Sequence, residues 1–189
     1  MGGGAREPVE REVKLRFPSA DEARAAIQAA GASPLRGRRL QEDCLLDTPD
    51  GRLRDHRSVL RVRQEAGKSR LTFKGPVRPS AMKVREELET VVGDGEVLLR
   101  VLGELGYRPW FRYQKFREEY CCDDVVVALD ETPVGIYVEL EGSETGITAV
   151  AARLGRAPAD YLVDSYYALF ARWREARGGG PTDMVFEDQ

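Results

Sequence analysis

The sequence predicts an α+β protein whose centre is a closed antiparallel β-barrel with helices packed outside. Several short segments alternate charged and apolar residues with a period of two, which is the period of a β-strand. In each of these segments the charged residues share one face. In a β-sandwich these ions would lie in the core between the two sheets, and burying unpaired ions costs several kcal/mol each. A barrel can instead hold them around a water-filled bore and turn its apolar face towards helices.

The first predicted strand covers residues 9–17 and shows the alternation most clearly. Glu10, Glu12 and Lys14 share one face, whereas the alternate positions from Val13 onwards are apolar. Two carboxylates about 7 Å apart on a strand can hold a hard cation, and a lysine one step further can reach a phosphate bound to that cation. For this segment alone, an edge strand with solvated charges is an alternative interpretation.

Five further segments repeat the pattern, in strands predicted at residues 58–65, 69–75, 83–92, 112–121 and 134–142. Two more strands, predicted at residues 38–46 and 124–130, complete the sheet. The charged faces carry Arg61, Arg63, Lys74, Arg85, Glu87, Glu89, Lys115, Arg117, Glu119, Glu139 and Glu141. The register around Lys115 is ambiguous by one residue, so this lysine could face either side. Each segment alone is compatible with a solvated sheet face, but together they indicate a shared polar interior.

Four helices are predicted around the strands. Ser19 and Glu22 form a capping box that opens the first helix, and Gly31 ends it. Asp94 caps the second, whose apolar residues follow the 3.6-residue period. The last two helices are predicted at residues 146–155 and 158–176. The expected organisation is a disordered N-terminus at residues 1–7, a single domain at residues 8–176 and a disordered C-terminal tail at residues 177–189.

Composition limits the classes of function. The 189-residue chain has 29 basic and 32 acidic residues and a net charge of −3, without the basic excess of most nucleic-acid-binding domains. No segment approaches the roughly 20 apolar residues of a membrane span. His56 is the only histidine, which excludes a histidine-cluster metal site and disfavours a Ser-His-Asp mechanism. An odd number of cysteines favours free thiols in a reducing compartment, so we expect a cytoplasmic protein. The charge balance and the lack of a long apolar segment predict no nucleic-acid or membrane partner.

The first strand contains a motif with a known counterpart. Glu10-x-Glu12-x-Lys14 matches the ExExK signature of the CYTH superfamily, also called triphosphate tunnel metalloenzymes. The resemblance extends over about residues 8 to 173, in the order and spacing of the family. The other matching segments are Leu60-Arg61-Val62-Arg63, Thr72-Phe73-Lys74-Gly75-Pro76, Arg85-Glu86-Glu87-Leu88-Glu89, Leu129-Asp130, Val138-Glu139-Leu140-Glu141-Gly142 and Ser165-Tyr166. The ordered set is specific, and it implies an eight-stranded antiparallel barrel open as a tunnel.

The resemblance also implies a role for each charged residue. The metal-facing carboxylates would be Glu10, Glu12, Glu139 and Glu141, joined by Asp130 and by Glu87 or Glu89. The substrate phosphates would be held by Lys14, Arg61, Arg63, Lys74, Arg85, Lys115 and Arg117. The catalytic group would be Glu10, Glu12, Lys14, Glu139 and Glu141. A bore that contains both acidic and basic side chains can bind a phosphate ligand through its cations and Mg²⁺ or Mn²⁺ through its carboxylates. A permanent salt-bridge network without a ligand is the structural alternative.

The family uses one tunnel for three reactions: hydrolysis of inorganic triphosphate, hydrolysis of thiamine triphosphate, and cyclisation of ATP to cyclic AMP. The strand with Glu139 and Glu141 is the acidic version, which favours a hydrolase, although residues 164–169 resemble the ending of class IV adenylyl cyclases. We recognise no adenine-binding wall: Phe73 is predicted to face outwards, and Tyr166 is equally well explained as a contact between the last helix and the barrel. We therefore predict a metal-dependent triphosphatase acting on a small-molecule triphosphate. Adenylyl cyclase and a non-enzymatic triphosphate sensor are the alternatives, and the pattern is compatible with a homodimer through an outer sheet face.

Overall fold

Eight antiparallel strands form a closed barrel in the computed structural model, which describes residues 9–187. In chain order the strands are β1 (Val9–Phe17), β2 (Ser33–Asp47), β3 (Val59–Glu65), β4 (Lys68–Lys74), β5 (Lys83–Val92), β6 (Arg108–Cys122), β7 (Val125–Thr132) and β8 (Gly135–Glu141). Around the barrel the order is β1-β5-β4-β3-β2-β6-β7-β8, and β1 closes the ring by pairing with both β5 and β8. The predicted eight-stranded antiparallel barrel is confirmed. The expected disorder of residues 1–7 lies outside the described residues.

The pairing of β1 explains why the charged strand faces meet. Glu10 lies opposite Arg85 of β5, and Glu12 lies opposite Glu141 of β8. Directly opposed residues of an antiparallel pair point to the same side of the sheet. The alternation on three neighbouring strands therefore places their charges together inside the barrel.

Five α-helices surround the barrel in the described part of the chain. They are α1 (Ala20–Ala29), α2 (Arg52–Asp55), α3 (Gly95–Glu104), α4 (Glu144–Arg153) and α5 (Tyr166–Glu175). The predicted caps are present: Ser19 Oγ accepts the amide of Glu22 at 3.2 Å, and Asp94 Oδ1 accepts the amide of Val97 at 3.0 Å. Between residues 9 and 187, none of the helices combines the length and apolar character needed to cross a membrane.

The apolar outer face of the barrel packs against α1 and α4. Val13 and Leu15, which alternate with the tunnel charges of β1, are completely buried. They belong to the same cluster as Ile27 of α1 and Ile147 of α4. Burying these side chains stabilises the fold by about 1.5 to 3 kcal/mol each. The same period of two therefore directs the apolar residues to the core and the ions to the bore.

One end of the bore is covered by α5. Phe111 lies on the same face of β6 as Lys115, because the two residues are an even number of positions apart. Its ring packs against Phe170 of α5, with 5.5 Å between the ring centroids. Both aromatic side chains are about 1% exposed. The interior of the barrel is thus apolar where α5 lies across it and charged further along.

The C-terminal helix differs from the prediction of one helix at residues 158–176. A short 3₁₀ turn at Pro158–Asp160 is followed by an extended segment, and α5 begins only after Ser165. In the extended segment Leu162 exchanges two backbone hydrogen bonds with Lys14, each of 2.9 Å. Ser165 Oγ then accepts the amide of Ala168 at 3.1 Å and caps α5. Pairing with β1 therefore satisfies backbone groups that a continuous helix would have satisfied internally.

The tail beyond residue 177 also differs from the expected disorder. Met184 is 1% exposed, and its amide donates to the carbonyl of Arg112 at 3.0 Å. The amide of Gln114 donates to the carbonyl of Met184 at 2.8 Å. Phe186 packs against Phe116, with 5.1 Å between the ring centroids. Two apolar side chains after the glycine-rich segment thus attach the tail to β6. Residues 188 and 189 lie outside the described part.

Candidate active site

The inward faces of the strands enclose a cavity of about 1020 Å³. Every predicted site residue except Asp130 lines it. These residues are Glu10, Glu12, Lys14, Arg61, Arg63, Lys74, Arg85, Glu87, Glu89, Lys115, Arg117, Glu139 and Glu141. They come from six strands, so no single segment of the chain forms the site. The direction of Lys115, which the sequence left open, is towards the cavity.

Lys14 is the centre of one buried ion cluster. Its Nζ lies 3.1 Å from Glu12 Oε1 and 3.0 Å from Glu139 Oε1. Lys83 also contacts Glu12, and Arg117 also contacts Glu139. Burial alone would raise the pKa of both carboxyl groups, but the neighbouring cations outweigh burial and hold both pKa values well below the usual range. Glu12 and Glu139 are therefore charged at neutral pH.

Glu10 is the centre of a second ion cluster. Lys74 Nζ lies 2.6 Å from Glu10 Oε1 and 3.0 Å from Glu87 Oε2, and Arg85 Nε lies 3.2 Å from Glu10 Oε2. Burial and the charge of Glu12 nevertheless raise the pKa of Glu10. Glu10 is thus held between two cations, while burial and the neighbouring Glu12 disfavour its charge.

Asp43 is a buried carboxylate that the sequence analysis missed. It accepts two hydrogen bonds from Arg63, at 2.8 and 3.2 Å, and its Oδ1 lies 3.4 Å from Nε of Arg61. Arg61 also donates to Thr72 Oγ1 at 3.2 Å. Gln41 and Asp43 alternate with apolar or outward positions of β2, so the period of two could have found this residue.

Asp130 is the predicted metal ligand that the structure places away from the cavity. Its side chain is completely buried. Lys115 Nζ donates to it at 2.8 Å, Arg117 Nε at 2.7 Å and Tyr166 Oη at 2.5 Å. Asp130 therefore holds two tunnel cations in position. Its role as a metal ligand stays a prediction.

Lys83 and Tyr166 are two further cavity residues that the prediction missed. Lys83 precedes Arg85 by two positions on β5, so the strand period could have identified it. Burial, and then the charge of Lys14, lower the pKa of Lys83 to about 8. The direction of Tyr166 depends on where α5 lies, which no local pattern specifies. Its ring centroid is 5.2 Å from Lys14 Nζ and 4.8 Å from Lys115 Nζ, within the range of cation–π contacts.

Glu141 is a tunnel carboxylate without a cationic partner among residues 9–187. Glu141 is exposed to solvent and shares the cavity with Glu10 and Glu12, whose negative charges repel its own. In the described part, no three acidic, cysteine or histidine side chains are gathered closely enough to bind a metal ion as they stand. A divalent cation would nevertheless relieve the repulsion among these three glutamates, so the donor set fits such an ion.

The cavity also has an aromatic and apolar part. Trp110, Tyr113 and Tyr167 line it, with Leu45 and Val59 nearby. The rings of Trp110 and Tyr167 meet edge to face, with 4.8 Å between their centroids. The cavity therefore has an aromatic wall that the sequence pattern does not reveal. The wall was missed because it combines residues from separate elements, including the part of β6 before residue 112.

Comparisons with known proteins agree with this architecture. The family model of the CYTH domain matches residues 9–158. A candidate adenylate cyclase of Methanocaldococcus jannaschii is 28% identical over 140 residues, which cover 74% of this chain and 79% of the relative. A protein of Pyrococcus horikoshii has a solved structure that is 28% identical, with a TM-score of 0.71, over 85% of this chain and 98% of that chain.

A more distant structure shares the fold. It is a candidate adenylyl cyclase of Hippeastrum with a dominant triphosphatase activity, 22% identical with a TM-score of 0.66. The similarity covers 87% of this chain and 96% of that chain. The family match extends over β1 to β8, which together form the whole barrel and its charged cavity. The chain therefore belongs to the CYTH domain family.

Proposed function

We propose that the protein hydrolyses a triphosphate substrate inside the barrel tunnel, with Mg²⁺ or Mn²⁺ as its cofactor. The observation that carries this proposal is the presence of both signs of charge in one cavity. Arg61 and Lys74 line the same space as Glu10 and Glu12, and the solvent-exposed Glu141 forms no ion pair within residues 9–187. A polyphosphate requires cationic side chains to bind it, and a metal ion requires carboxylates that are free to coordinate it.

The tunnel cations would bind and orient the phosphate chain. Arg61 and Arg63 present planar guanidinium groups suited to two-point contacts with phosphate oxygens, whereas Lys14 and Lys74 act as point charges. Asp43 holds both arginines before substrate arrives. Side chains that are already ordered lose less conformational entropy on binding, so this support favours affinity for the phosphates.

Glu10, Glu12 and Glu141 are the carboxylates that we assign to the metal, with Glu139 beside them. When bound, a divalent cation would offset the charge of the phosphates and lower the pKa of a bound water. Lys14 contacts both Glu12 and Glu139, so it is placed to keep these two carboxylates in position. Hydrolysis would then break one phosphoanhydride bond and transfer the phosphoryl group to water.

Adenylyl cyclase activity is the second candidate. The aromatic lining formed by Trp110, Tyr113 and Tyr167 favours it, because such a wall could hold a nucleotide base. The relative from Methanocaldococcus jannaschii is also named as an adenylate cyclase. Cyclisation would in addition require the ribose hydroxyl to be held in line with the phosphate, a demand that hydrolysis does not make. In the same fold, the Hippeastrum protein shows dominant triphosphatase activity, which supports hydrolysis as the first candidate.

A product panel separates the two candidates. The protein would be incubated with inorganic triphosphate, thiamine triphosphate, ATP and GTP, and both phosphate and cyclic AMP would be measured. We expect phosphate to be released from a linear triphosphate faster than cyclic AMP is formed from ATP. The reverse order of rates would replace the hydrolase by the cyclase.

The same assay tests the requirement for a metal. Because Glu10, Glu12 and Glu141 repel one another, turnover should vanish in chelator and return when Mg²⁺ or Mn²⁺ is added. Ca²⁺ should inhibit, because it is larger and accepts a looser coordination geometry. Full activity in excess chelator would refute the assignment of these carboxylates to a metal.

A further inference from the structure

A second cavity, of about 510 Å³, lies where α5 crosses the ends of β1 and β8. It shares no lining residue with the tunnel. Its floor is apolar and aromatic, formed by Tyr137, Leu162, Leu169 and Trp173. The volume lies within the range of about 300 to 1,000 Å³ that is typical of small-molecule sites. We call this space the α5 cavity.

Arginines surround the α5 cavity, and most of them lack an acidic partner. Arg16, Arg156 and Arg177 line it, and no carboxylate among residues 9–187 forms an ion pair with any of them. Within residues 9–187, Arg156 Nε is buried without a hydrogen-bond acceptor, while its Nη2 donates to the carbonyl of Arg16 at 3.3 Å. The one carboxylate in the lining, Asp160, already accepts the amide of Ala157 at 2.8 Å.

Arg172, the fourth arginine of the lining, differs from the other three because it has an acidic partner. Arg172 forms a two-point ion pair with Asp164, with distances of 2.9 and 2.8 Å. Arg156 instead stacks on Phe17, and Arg177 stacks on Trp173, at 4.6 and 4.2 Å from the ring centroids. Stacking involves the face of a guanidinium group and not its N–H edge, so Arg177 and the Nε of Arg156 can still donate to another acceptor. The α5 cavity therefore combines an excess of positive charge with an apolar floor.

We propose that the α5 cavity binds a small phosphate monoester carrying a flat ring, a class represented by nucleoside monophosphates. Guanidinium groups bind phosphate oxygens with paired hydrogen bonds, so Arg16, Arg156 and Arg177 supply the anion site. Tyr137, Leu162 and Leu169 supply an apolar surface for the ring, and Trp173, on which Arg177 stacks, borders this surface. Inorganic phosphate would use only the arginines and a nucleoside only the floor, so either part alone binds more weakly than the whole ligand.

Tryptophan fluorescence can report on this site selectively, because the chain has two tryptophans and Trp110 lines the tunnel. In a Trp110→Phe background, Trp173 is the only tryptophan. This protein would be titrated with AMP, inorganic phosphate and adenosine in the presence of chelator. Three further proteins would carry Arg16→Gln with Arg177→Gln, Arg61→Gln in the tunnel, or Arg100→Gln on α3 as a matched surface control.

We expect AMP to change Trp173 fluorescence with saturation, and more tightly than phosphate or adenosine. The double substitution of Arg16 and Arg177 should weaken AMP by about tenfold or more, the loss expected from charged hydrogen bonds. Arg61→Gln and Arg100→Gln should leave the titration unchanged. The proposal is wrong if AMP gives no saturable change, if adenosine binds as tightly as AMP, or if Arg61→Gln abolishes the signal while the double variant keeps it. No turnover is measured, so the result is independent of the proposed hydrolysis.

Discussion

At the scale of single residues, the tunnel charges are defined by their partners as much as by their positions. Lys14 lies between Glu12 and Glu139, and Asp43 holds Arg61 and Arg63 together. An isolated buried ion is strongly disfavoured, so each of these side chains depends on its neighbours for its charged state. Substitutions should therefore separate the groups that act on the reaction from those that bind the phosphates.

Neutral replacements of the glutamates should reduce the rate. Glu10→Gln and Glu139→Gln keep the side-chain volume but remove a charge that we assign to the metal or its surroundings, and kcat should fall by roughly 100-fold. Arg61→Ala and Lys74→Ala should also raise KM, by about tenfold, because these residues contact phosphate in the ground state. Steady-state kinetics would measure both effects, and folding should be retained.

Glu86→Gln is the matched control for these variants. Glu86 lies on β5 beside Arg85 and Glu87 but points away from the cavity, so its kinetics should equal those of the unchanged protein. Near-normal kinetics for both Arg61→Ala and Glu139→Gln would show that the charged faces only contact solvent.

Tyr166→Phe tests the role of the Tyr166 hydroxyl group. Its hydrogen bond to Asp130 is 2.5 Å long and buried, and burial together with Asp130 raises the pKa of Tyr166 well above the usual range. Removing it should lower the free energy of unfolding by about 1.5 to 3 kcal/mol. Tyr167→Phe is the control, since the hydroxyl of Tyr167 makes no hydrogen bond within residues 9–187. Equal denaturant midpoints for the two variants would show that the hydrogen bond adds no stability.

The sequence predicts which side chains face the bore, but not which ones meet. The period of two is a local property of a strand, so it correctly directed Glu10, Glu12 and Lys14 inwards. Contacts across the bore depend on register and on the placement of α5, which are set by the whole barrel. For this reason the sequence does not reveal that Asp130 accepts hydrogen bonds from Lys115, Arg117 and Tyr166.

At the scale of elements, the two longest strands extend beyond their predicted ends. Residues 38–46 were predicted where β2 covers Ser33–Asp47, and residues 112–121 where β6 covers Arg108–Cys122. The pairing of β2 with β6 shifts register on both sides of Arg36, so the additional segment shows no regular alternation. Pairing with another strand, which a single segment cannot reveal, determines these boundaries.

The tail that follows α5 should contribute to stability through Met184. Met184→Ala removes a side chain that is 1% exposed, and it should cost about 2 to 5 kcal/mol because a cavity forms beside β6. Val185→Ala is the matched control: Val185 is 40% exposed, so its effect should stay within about 0.5 kcal/mol. Thermal or denaturant unfolding would measure the difference. A small effect for Met184→Ala would mean that the tail does not contribute to the core in solution.

At the scale of the whole molecule, the barrel separates three chemical environments. The outer face is apolar and covered by helices, and the inside is charged along most of its length. An aromatic part of the same cavity adjoins the charged part. A substrate that fills the cavity would therefore place its phosphates among the lysines and arginines and any ring among the aromatic side chains. This division suggests how one protein could prefer an organic over an inorganic triphosphate.

Trp110→Ala should distinguish these substrates. Trp110 lines the cavity and contacts Tyr167, and the guanidinium group of Arg54 stacks on its ring at 4.8 Å from the centroid. Asp47 holds Arg54 through a separate ion pair of 3.0 Å, so Arg54 keeps its position without the ring. Removing the ring of Trp110 should raise KM for thiamine triphosphate or ATP by about tenfold, the loss of roughly 1.4 kcal/mol of aromatic contact. KM for inorganic triphosphate, which has no ring, should stay unchanged and serves as the internal control. An equal rise for both classes of substrate would indicate a general disturbance of the tunnel. No rise for either would show that the aromatic part does not contact the substrate.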